Sequence, residues 1–483
     1  MADDLNAANA ANAANAASGN ANGNRGGADP AAFDDGADPA RPAGVPRSYA
    51  KGGSTRWNPS TIADIQAKAQ LGRYQIRGFS TFQRQLPTFD DLVFQPATMT
   101  RLPLEGYRES CDTKTVLGDG LGLVEEPIEL DIPIYIASMS FGALSASAKA
   151  ALGRGASRAG SMTCTGEGGM LEDERAESQT LIYQMTPSRY MLDLDHLRRA
   201  DGIEVVVGQG AKPGTGGLLL GMKVSERVAR MRTLPIGVDQ RATVRHPDFL
   251  GADDLQIKIE ELREATDYRI PIFIKLGATR PYFDVAVAAK TGADVIVLDG
   301  MEGSTGASSE LLLDHTGVPL ISAIPAARRA LEDSGMADKV KLVASGGIRS
   351  GVDVAKALAL GADCTMIATS ALIGLGCNSP RYVEDYAALG TEPGACHHCH
   401  TGRCPVGITT QDPELETRMD VEAGAERILR LLTAMTMEAT LLAKACGKSS
   451  VHNLEPEDLR ALTLEASAFT GVSLAGIDRP FEF

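Results

Sequence analysis

Positive charge is scarce in this chain: 47 lysines and arginines face 62 acidic residues, for a net charge of −15. A surface of that sign repels phosphate backbones and anionic headgroups, so neither nucleic acid nor a membrane surface is expected as a partner. Long apolar runs are missing too. No stretch approaches the roughly 20 apolar residues that span a bilayer, and no basic region followed by an apolar core opens the chain. A cytoplasmic enzyme is expected. Cysteines number only eight, which argues against a disulfide framework, yet Cys396, Cys399 and Cys404 fall close together beside His397, His398 and His400. That grouping points to metal chemistry in a reducing compartment. A dinucleotide fingerprint is absent as well. The GxG pieces of GQGAKPGTGGLLLG, residues 208–221, lack the strand-to-helix spacing and the acidic ribose partner of a nicotinamide site.

What is present is enough chain, 483 residues with 43% hydrophobic, for either a large barrel or several smaller domains. Residues 1–54, dominated by Ala, Asn, Gly, Asp and Pro, carry few large apolar side chains to repay ordering, and a disordered tail is expected there. An Ala-rich helix is the rival for that segment, opposed by its interspersed Asn and Gly. Residues 55–115 form a covering segment in which IADIQAKAQLG has helical period. From Ile132 onward, short β-branched runs ending in small or polar residues alternate with helical stretches. They are IPIYIASMS (132–140), SMTCTGEGG (161–169), IEVVVGQGAK (203–212), IPIFIKLGA (270–278), ADVIVLDG (293–300), VPLISAIP (318–325), VKLVASGGI (340–348) and CTMIATSAL (364–372). Eight such runs predict an α/β fold, a (β/α)8 TIM barrel over residues 116–393 with its working residues at the carboxyl ends of the strands. A doubly wound open sheet is the alternative. LPIGVD, near residue 235, is assigned to a long insertion rather than to a ninth strand. A cysteine loop at 394–412 precedes a helical segment, 413–483. Its helices are AERILRLLTAMTMEATLLAKACG, with Ile428, Leu431, Leu432, Met435 and Met437 at core spacing and Gly447 as its stop, and EPEDLRALTLEASAF.

Several strand ends carry chemistry. Ser345, Gly346 and Gly347 precede a helical stretch, and with Ala368, Thr369 and Ser370 they suit a phosphate, because glycine backbone allows close approach and a helix start favours anions. Lys275 ends its strand as a fixed cation. Gln209 and Lys212 stand in a glycine-dense loop that can close over a substrate. Cys396, Cys399 and Cys404, spaced C-x2-C-x4-C with Pro405 next in the chain, resemble an iron–sulfur loop. Three thiolates suit a three-iron cluster, zinc with a histidine is the rival, and a further thiolate from Cys377 or Cys446 would permit a four-iron cluster. Cys111, Cys164 and Cys364 are expected in the core.

SMSFGALS, TCTGEGGM, GQGAKPGTGG, GMEGSTGAS, ASGGIRSGVDVAKALALGAD and CHTGRCPVGITTQ occur in the order found in the FMN-binding synthase domain of glutamate synthases, which the chain resembles over about residues 100–412. The resemblance implies FMN and a [3Fe–4S] cluster, with [4Fe–4S] or zinc as alternatives. It places Ala137, Ser138 and Met139 on the isoalloxazine, Gln209 and Lys275 at its polar edge, and Gly303, Ser304 and Thr305 along the flavin. Ser345, Gly346, Gly347, Ala368 and Thr369 match phosphate positions, Lys212 and Arg232 match cations that hold keto-acid carboxylates, and Glu167 guards the entrance. Cys396, Cys399 and Cys404 match the cluster ligands, although the common bacterial form has a wider first spacing.

The chain departs from the family at Leu218, where the loop otherwise reads KPGEGGQ, and in VDQRATVRHPDFLGADDL, which replaces a proline- and histidine-rich run. The flanks LPLEGYRESCDTKTVLG and LLAKACGKSSVHNLEPEDLRALTLEA are similar to the separate FMN subunit of N-methylglutamate synthases. Position 2 is Ala2 rather than a nucleophilic cysteine, and no GxxGxxxG repeat comes after the barrel. A hetero-oligomer is therefore expected, with a class II amidotransferase-like subunit and a β-helix subunit as partners. The expected small molecules are glutamate and methylamine, or 2-oxoglutarate and ammonia. A glutamate synthase subunit fed with electrons is the rival function, and a zinc-bearing scaffold without catalysis is the third.

Overall fold

The computed structural model describes residues 59–74, 76, 86–190 and 192–477. The tail expected at 1–54 lies outside them. Two compact units are distinguished, residues 1–75 with 387–390, and residues 76–386 with 391–483. The described part of the first includes the helix Pro59–Leu71, which agrees with the period of IADIQAKAQLG and is succeeded by Gly72 in the left-handed region at φ 64°. No helix among the described residues is long and apolar enough to cross a membrane.

The second unit is built on eight parallel strands: β1 (Ile134–Ile136), β2 (Thr163–Cys164), β3 (Leu181–Met185), β4 (Gly202–Val206), β5 (Ile272–Gly277), β6 (Val295–Asp299), β7 (Lys341–Ser345) and β8 (Cys364–Ile367). Their order around the sheet is 1-8-7-6-5-4-3-2, so each strand pairs with its sequence neighbours and β1 returns to β8. Between β1 and β2 the ladder is reduced to one backbone bond, from the Ile136 N–H to the Met162 carbonyl at 3.0 Å. The result is a nearly closed α/β barrel of the TIM type, as the alternating runs predicted.

Two of the expected runs need correction. VPLISAIP is not a strand; it begins a helix, Leu320–Asp333. Leu320, Ile321, Ala323, Ile324, Ala327, Ala330 and Leu331 are buried at helical intervals, and a short apolar run cannot separate strand from helix until its continuation is read. The eighth strand is instead β3, LIYQM, all five residues of which are buried. Lys275 therefore belongs to the fifth strand, and Gln209 and Lys212 come after the fourth. EPEDLRALTLEASAF also divides, into the strand Leu459–Ala461, which pairs with Leu92–Phe94, and the helix Leu464–Thr470. LPIGVD does lie in an insertion, just before the second strand of the short hairpin of Leu218–Leu219 with Gln240–Arg241.

Strand alternation sorts the core into two layers. Tyr135, Phe273, Val295, Val297, Val343, Cys364 and Met366 fill the barrel interior, together with Leu117, Ile128 and Leu130 of the hairpin Thr115–Leu117 with Ile128–Leu130. Ile134, Ile203, Ile274, Ile296, Leu342 and Ala344 face the surrounding helices. Those helices include α1 (Ala146–Arg158), α2 (Leu320–Asp333), α3 (Gly351–Ala359) and α4 (Thr369–Leu375), and the long α5 (Val421–Ala445) packs against α1, α3 and α4. On α5, Ile428, Leu432 and Met435 are buried as expected, but Met437 is 67% exposed. The helix stops before Gly447, at φ 74°. Cys164 and Cys364 are buried, whereas Cys111 is only partly so.

Candidate functional site

The same alternation that fills the barrel with Phe273 and Val297 turns Lys275 and Asp299 inward two residues further along. Glu204 on β4 and Gln184 on β3 join them. All four are buried. A charged layer inside an apolar barrel is costly unless its members answer one another. The Gln184 side-chain amide donates to Glu204 Oε1 at 2.6 Å, and Lys275 Nζ donates to Ser138 Oγ at 3.2 Å. Burial pulls the lysine toward neutrality, but Glu204, Asp299 and Cys164 outweigh it and hold Lys275 above the ordinary lysine range. Asp299 Oδ2 accepts the Gly210 N–H at 2.8 Å and so anchors the glycine-dense loop to β6.

Above this layer opens a cavity of about 750 Å³, within the range of about 300–1,000 Å³ typical of cofactor and ligand pockets. Ala137, Ser138, Met139, Gln209, Lys212, Leu218, Lys275, Gly303, Ser304, Thr305, Ser345, Gly346, Gly347, Ala368 and Thr369 all line it, as do Glu167 and the cysteines Cys396, Cys399 and Cys404. One candidate stands elsewhere. Arg232, 1% exposed, is absent from the lining; its guanidinium donates to Gln240 Oε1 at 2.7 Å and to the carbonyls of Phe141 and Glu167 at 2.5 and 2.8 Å. In this arrangement it braces the loops that carry Glu167 and Phe141.

At one end, Gly346 and Gly347 leave β7 with φ of 102° and 75°. A Cβ on Gly346 would sit 3.0 Å from the Gly300 carbonyl and the Gly303 N–H, so the turn requires glycine for both backbone angle and space. Beside it, α4 begins at Ala368 without a side-chain cap, whereas α1, α3 and α5 are capped by Ser145, Ser350 and Asp420. The uncapped first turn, with Ala368, Thr369 and Ser370 on the cavity wall, leaves N–H groups for an external anion. Ser304 and Thr369 hydroxyls meet at 3.2 Å across the two loops. Glycine backbone, an uncapped helix start and a buried cation on the wall of one cavity suit the phosphate and the ring system of FMN.

In the middle lies the insertion. Gly217 adjoins both the Glu167 carboxylate and the Lys212 ammonium; a Cβ there would come within 2.3 Å of Glu167 Oε2 and 3.1 Å of Lys212 Nζ. Burial lowers the Lys212 pKa, with Glu167 opposing. Leu218 is next in the chain and adds an aliphatic face, continued by Leu219 and Leu220.

Cys377 joins Cys396, Cys399 and Cys404 on the cavity wall. Burial raises the Cys399 thiol to about 11, reinforced by the charges of Cys404 and Cys396. Cys446 is not on the wall; its thiol faces the Gln95 carbonyl. Among the described residues no three His, Cys, Asp or Glu side chains are gathered as holders of a single metal ion. The cysteine loop is tied to the strand ends by Lys223, whose Nζ donates to the carbonyls of Ala143 at 2.8 Å and Cys399 at 2.9 Å. Burial lowers this lysine to about 8 against the pull of Cys399 and Cys404.

Gln184, Glu204, Lys223 and Asp299 are the site residues that motif reading missed. The signal for two of them was there: a charge at an inward parity position in the apolar runs IEVVV and VIVLD.

The conserved region in glutamate synthase matches residues 87–449. A glutamate synthase large subunit-like protein of Rhizobium meliloti is 56% identical over 423 residues, covering 88% of this chain and 95% of the relative. An archaeal-type glutamate synthase (NADPH) of Dehalococcoides mccartyi is 33% identical over 440 residues, covering 88% and 85%. Among solved structures, the recombinant flavin-binding domain of baker's yeast flavocytochrome b2 aligns with a TM-score of 0.49 at 19% identity, over 87% of this chain and 91% of that one.

Proposed function

Because the chain belongs to the glutamate synthase family, we propose that it is the FMN and iron–sulfur subunit of an N-methylglutamate synthase, forming N-methyl-L-glutamate and ammonia from methylamine and L-glutamate. The observation that carries this reading is Leu218, an aliphatic side chain on the cavity wall next to Gly217, which adjoins Lys212 and Glu167. Bound flavin would supply reversible hydride transfer at the α-carbon of the amino acid. Glutamate and methylamine enter and N-methylglutamate and ammonia leave, so no electrons are consumed overall.

The residues divide the work. Lys212 Nζ binds a substrate carboxylate, and the incoming anion restores the charge that burial disfavours. The Glu167 carboxylate, also beside Gly217, accepts a hydrogen bond from the amine nitrogen and holds the proton exchanged there. Leu218 covers the methyl group on that nitrogen; a polar side chain in its place would be left unpaired by the methylated imine and satisfied by the unmethylated one. The hairpin of Leu218–Leu219 with Gln240–Arg241 keeps water from this middle section. An amidotransferase-like subunit and a β-helix subunit complete the assembly in this reading.

A second reading has its own support in the family members named as NADPH glutamate synthases. Here 2-iminoglutarate, formed from 2-oxoglutarate and ammonia, is reduced to glutamate with electrons from a partner. Product analysis on the assembled enzyme separates the two. N-methylglutamate formed from methylamine and glutamate without added reductant supports the first. One equivalent of reductant consumed per glutamate, with methylamine ignored, replaces it by the second.

A further inference from the structure

We propose that the turn Thr88–Asp91 belongs to the cofactor site and closes over the FMN phosphate, with the Asp90–Arg349 ion pair as the catch that slows FMN release; the inference rests on reading the Gly346–Gly347 turn as the phosphate site. Thr88 and Phe89 lie on the cavity wall, as do Gly346, Gly347, Ile348 and Arg349. The turn is closed on itself. The Thr88 hydroxyl accepts the Asp90 N–H at 3.2 Å, and the Asp91 carboxylate accepts the Thr88 N–H at 2.8 Å.

Two kinds of contact hold it to the barrel. The first is apolar and backbone. Phe89 is buried in the core, the strand Leu92–Phe94 pairs with Leu459–Ala461, and the Leu462 N–H donates to the Asp91 carbonyl at 2.8 Å. Lys356 of α3, itself buried, donates to the Phe89 carbonyl at 2.7 Å. The second kind is ionic and centres on Arg349, two residues past Gly347. Its guanidinium gives Asp90 two bonds, at 2.7 and 2.9 Å, and gives Asp353, in the first turn of α3, two more at 3.0 and 3.1 Å. Asp353 is buried and also accepts the Arg349 N–H at 2.9 Å. The planar fork is therefore fixed from the barrel side, and Asp90 is the partner that can leave.

That division separates an anchor from a catch. A strand ladder and a buried phenyl ring do not respond to salt, whereas the Arg349 and Asp90 side chains are 54% and 69% exposed and their attraction is screened. The Arg349 bonds hold the Asp90 carboxyl below the usual carboxylate range, so the catch stays charged at neutral pH. A phosphate held by backbone N–H groups at the glycine turn and at the start of α4 is bound best when water is kept from those bonds. A turn fastened to the continuation of the same glycine loop keeps water out. It must give up the bidentate pair before the phosphate is rehydrated and lost.

The test is the rate of FMN release from the full-length, FMN-loaded chain with its partner subunits, followed by the rise in free-flavin fluorescence after dilution. Asp90→Asn should release FMN about two- to fivefold faster, the worth of an exposed ion pair. Raising salt from about 0.1 M to about 1 M shortens the Debye length from about 10 Å to about 3 Å, so it should quicken release from the unsubstituted protein and do less to Asp90→Asn. Glu422→Gln, which removes the exposed partner of Arg154 and Arg158, should leave release unchanged. Release that does not quicken with salt in the unsubstituted protein would overturn the proposal without help from any variant. An unchanged rate in Asp90→Asn, an undiminished salt effect there, or equal acceleration in Glu422→Gln would overturn it too. Protein that holds no FMN at any salt concentration would remove the cofactor reading itself and this inference with it.

Discussion

The two long walls of the cavity are made in different ways. One consists of the ends of β5 to β8, where inward parity fixes Lys275 and Asp299 and a glycine turn fixes the backbone at Gly346. The other consists of the 207–245 insertion and the cysteine loop, irregular backbone held in place by the Gly210 N–H bonded to Asp299, by Lys223 bonded to the Cys399 carbonyl, and by Arg232 of the insertion bonded to the Glu167 carbonyl. The first wall leaves little freedom for change, because its groups are set by strand geometry. The second can change a side chain such as Leu218 without disturbing the barrel. In the proposed reading the departure at Leu218 lies on the second wall, where a side chain that faces the substrate can differ while the strand ends stay as they are.

Breaking the rigid wall should cost most. Lys275→Gln removes the buried cation of the cavity and leaves Glu204 and Asp299 uncompensated, so turnover should fall by about 100-fold or more. Steady-state rates of the flavin-loaded enzyme check it, and a loss below tenfold would mean that the cation lies off the reaction path. Gly346→Ala places a side chain at φ 102°. At about 1–3 kcal/mol for such strain, FMN affinity should weaken by about 10- to 100-fold, read by flavin retention on dialysis. Changing the adaptable wall should redirect rather than abolish. Leu218→Gln should shift the ratio of kcat/KM for methylamine over ammonia toward ammonia by about tenfold, the worth of one methyl contact and one hydrogen bond. An unchanged ratio would remove Leu218 from specificity.

The smallest effect tests how the walls are joined. On α1, Lys149 pairs with Glu174 at 2.8 Å and also donates to the carbonyls of Met139 and Thr165, so it holds two strand-end loops together from behind. Burial raises Glu174 from 4.5 to about 7 despite Lys149. Between those values the folded state keeps a proton that the unfolded state has lost, so this carboxyl's contribution to stability falls as pH rises through the window. Relative to Glu174→Gln, the unsubstituted protein should therefore lose melting temperature between about pH 4.5 and 7, by a few degrees at most. A constant difference across that range would show that Glu174 titrates normally.

Legibility in the sequence divides along the same line. The barrel, the glycine turn, the cluster loop and the inward Lys275 are local patterns, and each was visible in a window of a few residues. VPLISAIP and LIYQM were exchanged because strand and helix differ there only in their continuations: seven buried positions at helical spacing in one case, Thr186 and Pro187 in the other. Gln184 went unnoticed because its strand was not read as one, and its role comes from the amide bond to Glu204 on the neighbouring strand. Arg232 was expected, from the family resemblance, to hold a substrate carboxylate, yet its bonds to Gln240 and two loop carbonyls depend on contacts that no local pattern encodes. Sequence spacing left Cys377 and Cys446 equal, and the structure separates them by place: Cys377 lines the cavity, while Cys446 faces the Gln95 carbonyl.

The amine-exchange account is tested most directly by anaerobic titration of the assembled enzyme with glutamate while the flavin absorbance is monitored. The account predicts bleaching by glutamate alone, then N-methylglutamate formation when methylamine is added and no reductant is present. Flavin that stays oxidised in excess glutamate but is bleached by an external electron donor would contradict it.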